Sequence, residues 1–480
     1  MSGIFGVVSD ENCIDDLFYG TDYHSHLGKK IGGIVIQNDK KFHREIKDIS
    51  LYPFRPQLSD FKKDVHGTKG LGVVGDYEPQ PLIIGSQLGD YAIAHVGKVN
   101  NLDEILKKSY SKGIHFNEMS LGGVNPVELI SSLINQGKNY VDGIEIMQNT
   151  VNGSSSVMLL TQEGIYVARD KFGRTPINIG KGNNKTAASF ESFPFENLGF
   201  EFNNQLGPGE IGIITKEGYQ QLKKPEDLLQ ICSFLYVYYG NPAAIYEGVE
   251  AELTRNHLGA KLAISDRKDN LQADFVSGIP DSGIGSAIGY ANESRLPYKR
   301  PFIKYTETWQ RSFMPQNQNE REFVAKMKLI PRRGIIKGAR IVFTDDSLVR
   351  GSQSKDKIEV VFSCSAQDIN FRLSCPPLMN SCKFLNFSIS ESIYDLAARR
   401  TIRDIEGKEN VDISKYINET SDKYSQMVEG IRRKVGVTNL KYQRLNDLVS
   451  AIGLPKEKLC TYCWDGCDPT HCKRNIIHSV

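Results

Sequence analysis

The run Ile341-Val342-Phe343-Thr344-Asp345-Asp346-Ser347-Leu348-Val349-Arg350-Gly351-Ser352-Gln353-Ser354 constrains this chain more than any other stretch. Three apolar, β-favouring residues deliver two adjacent carboxylates to the end of a strand. A short loop of Ser, Gly and Gln follows, and helix-compatible sequence begins near Ser354. In an open α/β sheet, ligands bind outside the carboxyl ends of the strands. A loop there with free backbone N–H groups, running into a helix N-terminus, makes a phosphate cradle. Paired carboxylates beside it suit ribose hydroxyls or a Mg²⁺ shared with a diphosphate. The plain alternative is a surface turn after a buried strand, where an Asp-Asp pair is common.

A second turn of the same kind lies upstream. Phe275–Ile279 is a buried strand that leads into Pro280-Asp281-Ser282-Gly283, and a helix follows over Ser286–Glu293. Ser and Gly there let backbone N–H groups approach an anion. The strand Phe302–Lys304 then opens a polar loop, 305–319. It brings Lys304 and Arg311 as charges able to fold over a polyphosphate, with Phe313 to anchor them; the alternative is solvated loop charge. A helix is expected over Val249–Asp266. Alternation of strand, turn and helix points to a parallel α/β sheet.

The first ~220 residues read differently. Gly-rich, alternating apolar segments such as 32–36, 91–95 and 156–160 are strands, with helices over Leu102–Ser111 and Pro126–Gln136. Ile211–Ile214 is one more strand, and the polar stretch Thr215–Asp227 reads as a linker. From about Lys441 the chain is loop-rich and dense in cysteine. The divisions expected are 1–225, 226–440 and a tail, 441–480.

A chain of 480 residues holds about two or three such domains. Its 59 basic and 57 acidic residues leave a net charge of +2, which argues against a broad nucleic-acid or membrane footprint. With no signal peptide apparent and no run long enough to span a bilayer, a cytoplasmic protein is expected. Nine cysteines in a reducing compartment point to metal, catalysis or burial rather than disulfides. Cys460 and Cys463 form a C-x2-C with Cys467 and Cys472 close behind, a pattern suited to zinc or iron–sulfur. Cys13, Cys364 and Cys375 read as buried or incidental.

The run 341–354 resembles the phosphoribosyl pyrophosphate (PRPP) loop of type I phosphoribosyltransferases. In order, 279–286, 303–315, 326–331 and 340–354 are similar to the pattern of glutamine PRPP amidotransferases, also called amidophosphoribosyltransferases. Those enzymes make 5-phosphoribosylamine and open purine biosynthesis. The resemblance implies that Asp345 and Asp346 hold the ribose hydroxyls and Mg²⁺. It implies that Ser347, Val349, Arg350, Gly351, Ser352 and Ser354 cradle the 5-phosphate. Asp281, Ser282 and Gly283 would border the pyrophosphate, and 304–314, with Lys304 and Arg311 as catalytic cations, would close over it. Ser352 and Gln353 depart from a usual pair of Thr. One branch of the family ligates a 4Fe–4S cluster at positions matching Cys232, Cys382, Cys460 and Cys463; Cys467 and Cys472 are departures that keep zinc open.

Met1-Ser2-Gly3-Ile4-Phe5-Gly6-Val7 resembles the start of class II glutamine amidotransferases, which implies the αββα sandwich of N-terminal nucleophile hydrolases. The fold class implied is that sandwich followed by a type I phosphoribosyltransferase parallel sheet. The family's nucleophilic Cys is Ser2 here, a degenerate position. Its His-Arg-Gly-Gln-Glu-Ser stretch is 26–31, His-Leu-Gly-Lys-Lys-Ile; its Gly-His-x-Arg carboxylate clamp is represented by 70–74, without Arg; its Asn-Gly oxyanion pair is Val96-Gly97. One lost oxyanion donor is typically worth ~3 kcal/mol. The Asp that anchors the glutamine amino group is missing near Asn125-Pro126. Ala94-His95, 169–173 and the 208–210 turn persist as fold-making pieces. The domain therefore reads as a folded pseudo-glutaminase. The transferase would take free ammonia, or ammonia from a partner glutaminase or paralogous subunit, in a homo- or hetero-oligomer. The alternatives are a non-catalytic PRPP-binding regulatory subunit, or a phosphoribosyltransferase with another acceptor.

Overall fold

Alternation along the strand Tyr91–Val99 sorts its side chains between two layers. Tyr91 and Ile93 join a cluster with the helices Pro126–Ile134 and Tyr140–Thr150, while Ala92, Ala94 and Val96 face a second sheet. The computed structural model describes residues 2–120, 122–304, 329–386, 392–409 and 411–468. Tyr91–Val99 belongs to an antiparallel sheet of six strands. That sheet packs on an antiparallel sheet of seven, in which Gly3–Ser9 is central between Lys185–Ser189 and Lys69–Gly75. Gly3–Ser9 alternates in the same way: Ile4 and Val8 point between the sheets, Phe5 and Val7 toward the helices Ile14–Asp22 and Phe54–Asp64. The result is an αββα sandwich.

The stretch 215–227 is not a linker. Gly218–Lys223 is a strand at the edge of the six-stranded sheet, paired with Ile211–Thr215. Its Gln220 and Gln221 are exposed, and an edge strand with one neighbour tolerates such polar sequence.

Four parallel strands follow, in the order Phe275–Gly278, Arg340–Asp345, Asp368–Leu373 and Asn439–Tyr442. Val276 and Val342 face Leu262, Ala263, Ala287 and Tyr290 on the helices Ala251–Lys268 and Ile284–Ser294. Phe275, Ile341 and Phe343 face the other way, against Ile358 and Val361 of Ser352–Ser363 and Ile431 of Asp422–Val435. Helix 251–268 starts two residues later than expected because Val249 and Glu250 pair with Ile245 and Tyr246. The expected boundary between 440 and 441 falls inside the fourth strand; the helix Leu445–Ile452 follows before the cysteines begin. One continuous core runs from the inter-sheet layer through Ile231, Leu235 and Leu258 to Phe384, Leu459 and Trp464, so both halves share buried surface with the tail.

Candidate active site

The strand Arg340–Asp345 ends as its sequence predicts, with Asp345 and Asp346 at the carboxyl edge of the sheet, only 5% and 7% exposed. Asp345 Oδ1 accepts the Ser282 hydroxyl at 2.7 Å and the Asp346 backbone N–H at 3.0 Å. The Ser347 hydroxyl donates to Asp346 Oδ2 at 2.5 Å. Burial, and then the Asp346 charge, push the Asp345 carboxyl well above the ordinary carboxylate range. Two adjacent carboxylates in such a setting cannot both ionise without a proton or a cation between them. As hard oxygen donors at a strand end, they fit Mg²⁺ or sugar hydroxyls.

Ser282 reaches Asp345 because its turn is fastened to the neighbouring strand. The Ile279 N–H donates to the Thr344 carbonyl at 2.9 Å, and the Thr344 hydroxyl to the Gly283 carbonyl at 2.8 Å. A Cβ on Gly283 would lie 2.1 Å from the Thr344 oxygen, so only glycine fits there. The peptide between Pro280 and Asp281 is cis. Asp281 forms an ion pair with Lys304, which ends the short strand Phe302–Lys304. Arg311, Phe313 and the rest of the expected closing loop lie outside the described residues.

Downstream of the carboxylates, Leu348 is buried and the Val349 carbonyl accepts the Ala397 N–H at 2.7 Å. The Arg350 carbonyl accepts from the Arg400 guanidinium at 2.6 Å, while Arg350's own guanidinium pairs with Asp395 at 3.1 Å. Gly351, at φ +82°, precedes the helix Ser352–Ser363, which begins two residues earlier than expected. The N–H groups of its first turn, Ser352 through Ser354, have no acceptor within the helix.

Sequence reasoning missed Tyr238. Burial, then the charges of Asp346 and Asp345, push its phenol up, although the residue is 45% exposed. It lies on a single π-helical turn, Leu235–Tyr239, a feature frequent at functional sites but without a sequence period to announce it.

The structure also gathers cysteines. Ile231–Cys232 pairs in parallel with Leu459–Cys460, which sets Cys232 opposite Cys460. Cys382 and Cys463 are electrostatic neighbours, and Cys232 has Cys460 and Cys382 as electrostatic neighbours. The Leu385 N–H donates to the Cys382 sulfur at 3.3 Å, and the Met379 N–H to the Cys463 carbonyl at 2.9 Å. Four cysteines from three separate segments thus become neighbours. Among the described residues, no three His, Cys, Asp or Glu side chains converge closely enough to grip a single ion. The Cys467 N–H donates to Asp465, and Cys472 lies outside the described residues. Cys13, Cys364 and Cys375 are buried.

In the sandwich, Ser2 is buried against Gly75, where an added Cβ would come 2.7 Å from Ser2 Oγ. Val73, Val74 and Val96 are core residues. At Gly97, φ +147°, a Cβ would meet the Ser154 carbonyl at 1.9 Å. Asn125 caps the helix Pro126–Ile134: its Oδ1 accepts the Val127 N–H at 2.9 Å and its Nδ2 donates to the Pro79 carbonyl at 3.0 Å. His26 Nε2 lies 2.9 Å from the buried Glu191 carboxylate. Burial raises the Glu78 carboxyl to about 7.

Residues 73–193 match the family model of a glutamine amidotransferase domain. The amidophosphoribosyltransferase of Methanocaldococcus jannaschii is 28% identical over 98% of both chains. That of Archaeoglobus fulgidus is 30% identical over 74% of this chain and 76% of its own. Among solved structures, the glutamine PRPP amidotransferase of Bacillus subtilis complexed with ADP and GMP is 25% identical, covers 97% of each chain and superimposes with a TM-score of 0.82.

Proposed function

This chain belongs to the amidophosphoribosyltransferase family, and from that premise we propose that it makes 5-phosphoribosylamine from PRPP, the opening step of purine biosynthesis, with ammonia as nitrogen donor. The observation that carries the reading is the bond from Ser282 to Asp345, which joins the two anion-binding turns into one site. Asp345 and Asp346 accept the ribose hydroxyls and, once ionised, supply oxygens for Mg²⁺. When bound, Mg²⁺ neutralises charge on the leaving pyrophosphate. The amides of the first turn after Gly351 take the 5-phosphate. Asp281, Ser282, Gly283 and Lys304 border the pyrophosphate, and family resemblance gives Arg311 the same duty. Ammonia needs no activation, so the side chains act by positioning reactants and stabilising charge as the anomeric bond to pyrophosphate breaks.

The sandwich supports this choice of nitrogen source. Val73, Val74 and Val96 offer no donor where a glutaminase needs a carboxylate clamp and an oxyanion donor, and Asn125 is spent on a helix cap. Ammonia is then taken free, or from a glutaminase or paralogous subunit in an oligomer. We assign Cys232, Cys382, Cys460 and Cys463 to a structural 4Fe–4S cluster. Four thiols, Cys232 buried and the other three half-buried, spread over three segments suit a cluster better than one zinc ion; visible absorbance of anaerobically purified protein separates the two. Among the described residues no helix is long and apolar enough to cross a membrane. We place the protein in the cytoplasm, where such thiols stay reduced.

The test is pyrophosphate release from PRPP and Mg²⁺, with glutamine alone and then with ammonium at alkaline pH. Release with ammonium only supports the reading. Release with glutamine makes Ser2 a working nucleophile and overturns the choice of donor. Silence with both, while PRPP binds, makes the chain a regulatory subunit or a transferase with another acceptor.

A further inference from the structure

The geometry points to Arg174 as the charge partner of the cysteine-bound cluster, a buried guanidinium that offsets thiolate charge and ties the N-terminal sandwich to the tail. This rests on the reading of Cys232, Cys382, Cys460 and Cys463 as 4Fe–4S ligands.

Arg174 is 1% exposed. Its guanidinium is a charge neighbour of the Cys460 thiol, and its carbonyl accepts the Cys232 N–H at 3.2 Å. Its guanidinium lies 3.6 Å from the ring centroid of Phe384, two residues beyond Cys382, and 4.6 Å from that of Phe172. One residue therefore touches three of the ligand-bearing segments. Nη1 donates to the Gly153 carbonyl at 3.1 Å, and Nε has no partner among the described residues.

A buried guanidinium is costly unless a counter-charge repays its desolvation. The carboxylate at hand, Asp170 Oδ2, stands 4.0 Å away. It is already taken up by the N–H groups of Phe172 and Thr175, each at 3.2 Å. Other cations face the cysteines from more open positions: Lys98 near Cys382, and Lys383, which pairs with Asp468 at 2.6 Å. A 4Fe–4S core of charge 2+ with four thiolates carries a net charge of −2, which supplies the missing partner. A cation and N–H donors beside cluster sulfurs favour the reduced, more negative state and raise the reduction potential.

The experiment uses the full chain, purified without oxygen, as wild type, R174Q and R174K. Iron and acid-labile sulfide are measured first, then the midpoint potential by titration followed by electron paramagnetic resonance. The expected result is a more negative potential and faster bleaching in air for R174Q, with R174K close to wild type. An R174Q cluster with wild-type potential and air stability overturns the assignment. Should R174Q not fold, R174K decides: full iron with wild-type potential supports the charge role, and loss of iron overturns it. Wild-type protein without iron and sulfide overturns the cluster reading itself, and Arg174's role with it, before any variant is compared.

Discussion

Ser282 donates its hydroxyl to Asp345 Oδ1 at 2.7 Å, although 63 residues of chain separate them. The contact exists because Phe275–Gly278 and Arg340–Asp345 are neighbours in a parallel sheet, paired up to Gly278 and Thr344. Two turns that each look modest in sequence become hydrogen-bonded neighbours.

Asp345→Asn should lower ammonium-dependent pyrophosphate release by roughly 10²-fold or more, the scale of losing one preorganised electrostatic group. Ser282→Ala removes one hydrogen bond to a carboxylate, about 1–2 kcal/mol, or roughly five- to thirtyfold. Values of kcat/KM for PRPP check both.

The same carboxylate makes the ligand-free fold pH-sensitive. Burial and Asp346 hold the Asp345 pKa above its unfolded value, so the folded state keeps a proton that the unfolded chain releases. Stability therefore falls as pH rises from the unfolded value, ~3.9, toward the folded one. Asp345→Asn should unfold at a higher temperature than wild type at pH 8 and at a similar one near pH 4. Thermal scans without Mg²⁺ at both pH values measure this; a less stable variant at pH 8 would count against it.

Glu78 should show the same sign in the sandwich. Burial lifts its carboxyl from 4.5 to about 7, so wild type pays a desolvation cost above that range that Glu78→Gln avoids. The variant should gain on the order of 3 kcal/mol relative to wild type between pH 4 and pH 8. Urea unfolding at the two pH values reads the difference.

Glu191 works in the opposite direction. Burial alone would raise its carboxyl, yet His26, His24 and Tyr246 together hold it below the ordinary value. It accepts the Tyr246 hydroxyl at 2.5 Å and the Asn241 N–H at 2.9 Å, which binds the sandwich to the segment beyond 225. Glu191→Ala leaves these donors buried and unpaired, and should cost about 3 kcal/mol or more in urea unfolding at pH 7.

Ser2→Ala should leave ammonium-dependent release unchanged. Ser2→Cys should not create glutaminase activity, because Val96 in place of an oxyanion-donating Asn would alone withhold ~3 kcal/mol from the tetrahedral intermediate. Glutamate formation from glutamine is the assay; its appearance in Ser2→Cys would show that the pocket is still built.

What the sequence alone determined is local. Two-residue alternation in 91–95 separates two apolar faces and so demands layers on both sides. Ile341–Phe343 followed by Asp345, Asp346 and Gly351 dictates a strand, a polar turn and a helix start, since each choice there depends on neighbours a few residues away. The error at 215–227 has the same origin: an edge strand with solvent on one side carries the polar residues of a linker, and only its pairing with Ile211–Thr215 distinguishes the two. Tertiary structure decided the rest. The charges felt by Tyr238, the burial of Glu78 and the nearness of Arg174 to Cys460 depend on distant segments being brought together. Burial and proximity across the fold set the charge state of a side chain, and neither is written in the residues next to it.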